Sequence, residues 1–513
     1  MRDDSLVMDF TVNAASGPRH KFRVSTGVPG LDDILAGGFP GHRMYLIEGN
    51  PGTGKTTLAL QFLMDGVRRG ERVLYVTLSE TEDELHDVAQ SHGWSLDGIA
   101  LYELNTLQEQ GEEEYTVFHP AEVELGETTK RILARVEQLG PTRVVFDSLS
   151  ELRLLAQGPL RYRREVLSLK QFFAGRQCTV LLLDDRTSQD NDLQLQSICH
   201  GVVRLERIDA DYGITRRRVH VLKMRGVRFR DGYHDYQITT GGLSIYPRLI
   251  AAEHRPAYKR EQIGSGVPGL DGILGGGLDR GTSALLIGPA GSGKSSIATQ
   301  FAVQAASRGE HTACYIFEEN TNTFLQRALG MGMDVAPLIE AGKIHLQQID
   351  PAEVSPGEFS TNLRQSVEKH GTRLVVIDSL NGYFNALPSE HFLNIQMHEL
   401  LTYLAQQGVV TILVLAQHGM LGPMDSPVEV SYLADTVLLL RYFEAAGEVR
   451  QALSVVKKRT GPHERTIREL RLSTQGIFIG EPLREFSGIL TGVPRYSGNV
   501  APLLKNSDDD GRS

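Results

Sequence analysis

Residues 49–56 read Gly-Asn-Pro-Gly-Thr-Gly-Lys-Thr, and residues 288–295 read Gly-Pro-Ala-Gly-Ser-Gly-Lys-Ser. Both match a glycine-rich phosphate-binding loop that ends in Lys and a hydroxyl residue. Each follows a short apolar run, Met44–Glu48 or Ala284–Ile287, and the first opens a stretch of helical spacing, Lys55–Arg69. The motif requires that strand–loop–helix context. Glycines let backbone N–H groups turn inward around phosphate oxygens, and the helix N-terminus adds positive potential. The expected nucleotide contacts are Gly49, Gly52, Thr53, Gly54, Lys55, Thr56 and Thr57 in the first loop. In the second they are Gly288, Gly291, Ser292, Gly293, Lys294, Ser295 and Ser296. Lys55 and Lys294 would reach the β- and γ-phosphates of ATP, and Thr56 and Ser295 would hold Mg²⁺.

The repeat extends well beyond the loops. Residues 26–57 align with 265–296 without gaps, and 15 of 32 positions are identical at a constant offset of 239. A period that long means two whole domains of one fold, with a boundary expected around Ala251–Gln262. The expected layout is a flexible arm (1–20), a first domain (21–250), a second domain (251–485) and a tail (486–513). Within each half, buried-strand runs alternate with helical stretches. Val73–Leu78, Val144–Phe146 and Thr179–Leu183 are such runs, and Ala313–Phe317, Leu374–Ile377 and Val409–Leu415 follow in the second half. The pattern predicts an α/β fold, a mostly parallel twisted sheet with helices on both faces. Arg216–Arg225 and Ala452–Arg459 alternate polar and apolar residues, which suits half-exposed strands near a sheet edge.

Composition narrows the class. The 513 residues carry 63 acidic and 53 basic side chains, a net charge of −10. That argues against a chain that grips nucleic acid with its whole surface. The three cysteines lie far apart in sequence and suit a reducing compartment. The longest apolar run, Val409–Ala416, is too short to span a bilayer, and the N-terminal stretch lacks signal-peptide character. A cytoplasmic enzyme with no membrane contact is expected.

A phosphate loop needs a carboxylate at a neighbouring strand end to orient its metal. Asp147 ends the run RVVFD and Asp378 ends RLVVID, each followed by Ser-Leu. A second carboxylate is needed to orient or deprotonate the attacking group. Glu318 and Glu319 end YIFEE, and the same positions in the first half are Ser79 and Glu80. Adjacent strand residues face opposite ways, so one of each pair should face the nucleotide. Lys223 and Arg225 share one strand face, and Lys457 and Arg459 repeat the spacing. A pair repeated in both halves suits an arginine finger that reaches a neighbouring subunit's γ-phosphate. A nucleic-acid contact or a plain exposed strand remains the alternative for these pairs.

The doubled domain, the entry motif TGVPGLDDILAGGFPGHR, the two loops, Glu318-Glu319 and KMRG (223–226) together resemble the KaiC family of circadian clock ATPases and autokinases. The resemblance covers roughly residues 20–500. It implies a RecA-like fold in each half and a homohexamer with ATP between subunits. It implies slow hydrolysis in the first domain and reversible self-phosphorylation in the second. Ser431 falls on the family's acceptor serine, Tyr432 stands where the family has threonine, and Gln196 lies opposite Ser431 in the first half. Glu318 is the base that the family would offer to Ser431; an ordinary turn serine is the bland alternative. The resemblance also suggests a signalling partner, either a clock-type protein or a histidine kinase or response regulator. Two other functions compete, a DNA recombinase or helicase motor and a non-catalytic nucleotide-sensing scaffold.

Overall fold

A computed structural model describes residues 22–104, 120–156, 158–186, 193–209, 213–253, 257–385, 393–417, 432–445, 447–490 and 494–496. Two compact units result, Met1–Ala210 with Thr215–Arg248, and Asp211–Ile214 with Leu249–Ser513.

Each unit is built on a nine-stranded sheet. In the first, the central strand Met44–Gly49 lies between Thr179–Asp185 and Gly201–Ile208, parallel to both. Arg143–Asp147, Val73–Thr77 and Ile99–Glu103 continue the parallel side. On the other side Arg216–Met224, Tyr233–Thr239 and Gly242–Tyr246 run antiparallel as hairpins. The second unit repeats this order. Ser283–Gly288 lies between Val410–Ala416 and Thr436–Ala445, then Leu374–Asp378, Thr312–Ile316 and Ile344–Gln348 follow on one side. Glu448–Lys458, Arg468–Ser473 and Gly476–Pro482 follow on the other.

The period-2 pleat explains why the central strands are apolar throughout. Along Met44–Gly49, Met44 and Leu46 pack into one core while Tyr45 and Ile47 pack into another. The first core is filled by Leu149, Leu152, Val166 and Leu169 from helices Leu149–Ala156 and Pro159–Phe173. The second is filled by Leu58, Phe62 and Leu63 from helix Lys55–Arg68. Covering both faces leaves the strand ends as the open edges of the sheet, which is where α/β proteins place ligands.

The expected strands appear with small changes of boundary. The antiparallel strands Arg216–Met224 and Glu448–Lys458 are not outermost, because two further strands lie beyond each. Helix Glu82–Ser91 follows the strand Val73–Thr77. Thr81 caps it, accepting from the Glu84 N–H, while the Glu84 carboxylate accepts from the Thr81 N–H. Among the described residues no helix is long and apolar enough to cross a membrane.

Candidate nucleotide sites

Both glycine-rich loops sit at the C-terminal end of the central strand and lead into a helix, Lys55–Arg68 or Lys294–Ser307. Backbone shape, not composition alone, demands glycine here. Gly54 has φ +88°, and a Cβ on it would lie 2.6 Å from the Ile238 Cδ1. Gly293 has φ +99°, and a Cβ would lie 2.8 Å from the Leu472 Cδ1. In this left-handed region a side chain is strained whatever the space. Each loop is thus a tight cradle of main chain that fits a phosphate.

The lysines curl back into the cradle. Lys55 Nζ donates to the carbonyls of Gly49 (3.1 Å) and Asn50 (3.3 Å) and pairs with Asp185 at 2.6 Å. Lys294 Nζ donates to the Pro289 carbonyl at 2.6 Å. Burial pushes the Lys294 ammonium down to about 8, against the opposing pull of Asp378 and Glu318. Thr53 and Ser292 are fully buried inside the turns. The Thr57 hydroxyl lies 3.5 Å from His92 Nε2, and Ser296 is buried.

Asp147 ends its strand beside the loop. Its Oδ2 accepts from the Thr56 hydroxyl at 3.0 Å and from the Tyr75 phenol at 2.5 Å. Burial raises the Asp147 carboxyl above its ordinary range, although both hydrogen bonds work the other way. Asp378 repeats this arrangement: burial raises it, and a hydrogen bond from Ser295 opposes the rise. In each half one hydroxyl and one carboxylate oxygen therefore converge beside a phosphate cradle. Hard oxygen donors with room for phosphate and water suit Mg²⁺.

The acidic pair differs between the halves. Glu80 is fixed by a turn in which the Thr77 hydroxyl accepts from the Glu80 N–H (3.0 Å) and donates to the Glu80 carbonyl (2.6 Å). Among the described residues its carboxylate atom Oε2 is buried without a hydrogen-bond partner. Burial, reinforced by the charge of Asp147, pushes Glu80 up to about 7. The position matched to Glu80 is Glu319, and there a helix residue intervenes. Arg327 grips Glu319 with two hydrogen bonds, 3.1 Å and 2.9 Å. The same helix position in the first half is Val88. Glu318 instead accepts from the Ser379 hydroxyl at 2.7 Å and lies close enough to Lys294 to influence it. The two sites thus turn different acidic positions toward the loop, Glu80 in one and Glu318 in the other.

The basic pairs lie elsewhere. Lys223 pairs in register with Val202, which lies beside Leu46, and Lys457 pairs with Val437, beside Leu285. Gly49 and Gly288 come three residues farther along, about 10 Å of strand. The side chains reach back, away from the loop. Lys223 Nζ donates to the Gln196 carbonyl and Arg225 to the Ser197 carbonyl (2.9 Å). Lys457 Nζ donates to the Ala434 carbonyl (2.7 Å) and Arg459 to the Tyr432 carbonyl (3.4 Å). Neither pair joins the phosphate loop of its own domain. Ser431 lies outside the described residues.

Asp185, Tyr75, Arg327 and Ser379 escaped the sequence reading. Asp185 had the same signal as Asp147, an acid closing an apolar run. Tyr75 and Ser379 gave none, because their partners are remote in sequence, and Arg327 reaches Glu319 only through the fold of helix Thr321–Gly330.

The family described as "ATPase: KaiC" matches this chain twice, over residues 24–250 and 263–484. The chain is similar to the circadian clock protein KaiC3 of Synechocystis sp. (strain ATCC 27184 / PCC 6803 / Kazusa), 26% identical over 93% of this chain and 95% of that protein. It is also similar to the circadian clock oscillator protein KaiC of Parathermosynechococcus lividus, 27% identical over 91% of this chain and 87% of that protein. The same-named protein of Synechococcus elongatus (strain ATCC 33912 / PCC 7942 / FACHB-805) is 25% identical over 92% of both. With two RecA-like sheets in one order, a phosphate cradle in each and a family match to both halves, the chain belongs to the KaiC family of ATPases.

Proposed function

We propose that this chain is a ring-forming ATP hydrolase whose second domain also transfers phosphate to Ser431, and that nucleotide and phosphorylation state switch its contacts with a signalling partner. One observation carries the ring reading. Each basic pair sits about 10 Å or more of strand short of its own phosphate loop, with its side chains bonded away from that loop, which suits a finger that completes a neighbour's site. A heterologous interface closes into a ring when its rotation closes, and the family resemblance makes that ring a hexamer.

In the first domain, the backbone cradle and Lys55 bind the phosphates. Thr56 and Asp147 would hold Mg²⁺, which when bound neutralises charge on the phosphate oxygens. Glu80 orients the attacking water and takes its proton. Arg225, with Lys223, from the adjacent subunit stabilises the charge that develops in the transition state.

The second domain uses Lys294, Ser295, Asp378, Lys457 and Arg459 in the matching roles. There Glu318, oriented by Ser379, takes the proton from the Ser431 hydroxyl of the adjacent subunit. The serine oxygen bonds to the γ-phosphorus, the bond from phosphorus to the β–γ bridging oxygen breaks, and ADP leaves. Ser431 directly precedes Tyr432, whose carbonyl Arg459 contacts. The first domain has Gln196 opposite this serine, and an amide has no hydroxyl to accept phosphate.

Intact-mass spectrometry before and after Mg-ATP tests the transfer. One added phosphate, mapped to Ser431 and lost in Glu318→Gln, is expected. Phosphate release from ATP with no mass gain would reduce the second domain to a nucleotide sensor. Light scattering tests assembly: a particle of about six 56.6 kDa chains is expected with Mg-ATP, and a persistent monomer would refute the ring.

A further inference from the structure

The two fingers are seated differently, and the difference traces to one position. Four backbone hydrogen bonds, two in each domain, place His200 and Asp435 at equivalent points. His200 N–H donates to the Met44 carbonyl (2.8 Å), and Asp435 N–H donates to the Ser283 carbonyl (2.9 Å). The Arg225 N–H donates to the His200 carbonyl and the Arg459 N–H to the Asp435 carbonyl, both at 3.0 Å. Met44 and Ser283 are themselves equivalent, 239 residues apart, as the first residues of the two central strands. The frame is the same, and only the side chains change.

In the second domain those side chains form a chain of contacts. Asp435 Oδ2 accepts from the Ser283 N–H (3.1 Å) and lies 3.4 Å from the Ser283 hydroxyl, which donates to the Leu433 carbonyl at 3.0 Å. Its other oxygen, Oδ1, faces the Arg459 guanidinium at 3.4 Å. Asp435 is 26% exposed and Arg459 54%, so the carboxylate is the fixed member and the arginine the movable one. Ser283, Asp435 and Arg459 line one cleft of about 500 Å³ together with Tyr432. In the first domain the equivalent cleft, about 220 Å³, is lined by Met44, His200 and Arg225. There His200 packs edge-on against Tyr45, 5.9 Å between ring centres.

We infer that position 435 is a positioning residue for the second-domain finger, and that the His200/Asp435 exchange makes the two fingers unequal. Asp435, fixed to the first residue of the central strand, holds the Arg459 guanidinium in one orientation before it meets a neighbour's phosphate. Lys457, on the same strand face, shares that field. Among the described residues Arg225 has only a backbone carbonyl to orient it, so its finger starts from a wider set of rotamers. The inference rests on the proposed finger role of Arg459.

The test uses the full-length chain with Glu80→Gln, which silences first-domain hydrolysis, and reads second-domain turnover at saturating and limiting Mg-ATP. Asp435→Asn keeps an oxygen for the Ser283 N–H and removes only the charge. A half-exposed pair of this kind supports an expected fall in kcat of about threefold to fivefold. KM should stay within about twofold, because pre-orientation acts in the transition state. The reciprocal His200→Asp, in a Glu318→Gln chain, should raise first-domain kcat by about threefold. Unchanged kcat in either variant, while Arg459→Ala lowers turnover, would overturn the inference and leave the finger standing. Silence of Arg459→Ala itself would remove the finger and the inference together.

Discussion

Glu80 and Glu319 occupy one sequence position and two chemical situations. A free buried carboxylate oxygen beside the loop is available for proton transfer, whereas a carboxylate gripped by Arg327 is not. Glu80→Gln should therefore lower first-domain hydrolysis by roughly 10²–10⁴-fold while leaving ATP bound, as general-base losses do. Phosphate release and nucleotide binding, measured in one Glu318→Gln chain, check this. Gly54→Ala should fail differently. It forces an alanine to φ +88° with its Cβ 2.6 Å from Ile238, so nucleotide binding and domain stability should fall together. Equilibrium binding of a labelled ATP analogue would show it. The loops, Asp147 and Asp378 were legible in the sequence because local spacing dictates them. The division of labour between Glu318 and Glu319 was not. It depends on Arg327, eight residues along on a helix, and on Ser379, just past the end of another strand, and neither contact leaves a trace in spacing.

At the scale of elements, one buried arginine shows how the first domain locks its phosphate-loop helix to the sheet. Arg143, 1% exposed, opens the strand that ends in Asp147. It donates to Asp65 (3.1 Å), to both Glu71 oxygens (2.8 and 2.9 Å) and to the carbonyls of Phe62 (2.7 Å) and Ser25 (3.0 Å). Its guanidinium also lies over the Phe62 ring at 4.8 Å. The hydrogen bonds from Arg143 hold the Glu71 carboxyl below its usual range despite burial. The residue in the same register of the second sheet is Leu374, fully buried. An apolar solution therefore works there, but only with apolar-compatible neighbours. Arg143→Leu in the first domain leaves Asp65 and Glu71 without their cation. It should cost about 3–5 kcal/mol, read as a lower urea midpoint for first-domain unfolding. Buried parallel strands were legible as apolar runs. The outer hairpin Tyr233–Tyr246 was not, because its first strand mixes polar residues such as His234, Asp235 and Gln237 among its apolar ones and its second is only five residues long. The Gly241-Gly242 pair at its turn was the available signal.

At the scale of the molecule, stability and assembly separate. His234 is 1% exposed in the first domain, its Nδ1 accepting from the Arg248 N–H (2.9 Å) and its Nε2 facing the Arg230 carbonyl (3.1 Å). Burial pushes its pKa down to about 4. The unfolded chain binds this proton near pH 6.5 and the folded chain only near 4, so the neutral ring favours folding above both values. As pH falls from about 6.5 to 4 the first domain should lose about 3 kcal/mol. His234→Gln should flatten that slope in urea titrations at pH 7 and pH 5.

The central claim is that each ATP site is finished by a neighbour, and mixed rings test it most directly. Two chains, both carrying Glu318→Gln, are prepared, one with Glu80→Gln and one with Arg225→Ala. Each alone should release almost no phosphate. Combined in equal amounts and reassembled with Mg-ATP, about a quarter of the interfaces join an intact Glu80 to an intact Arg225. The account predicts that turnover returns to about a quarter of the rate of the Glu318→Gln parent. Mixed rings as inactive as their components would place the finger in its own subunit's site and contradict the account.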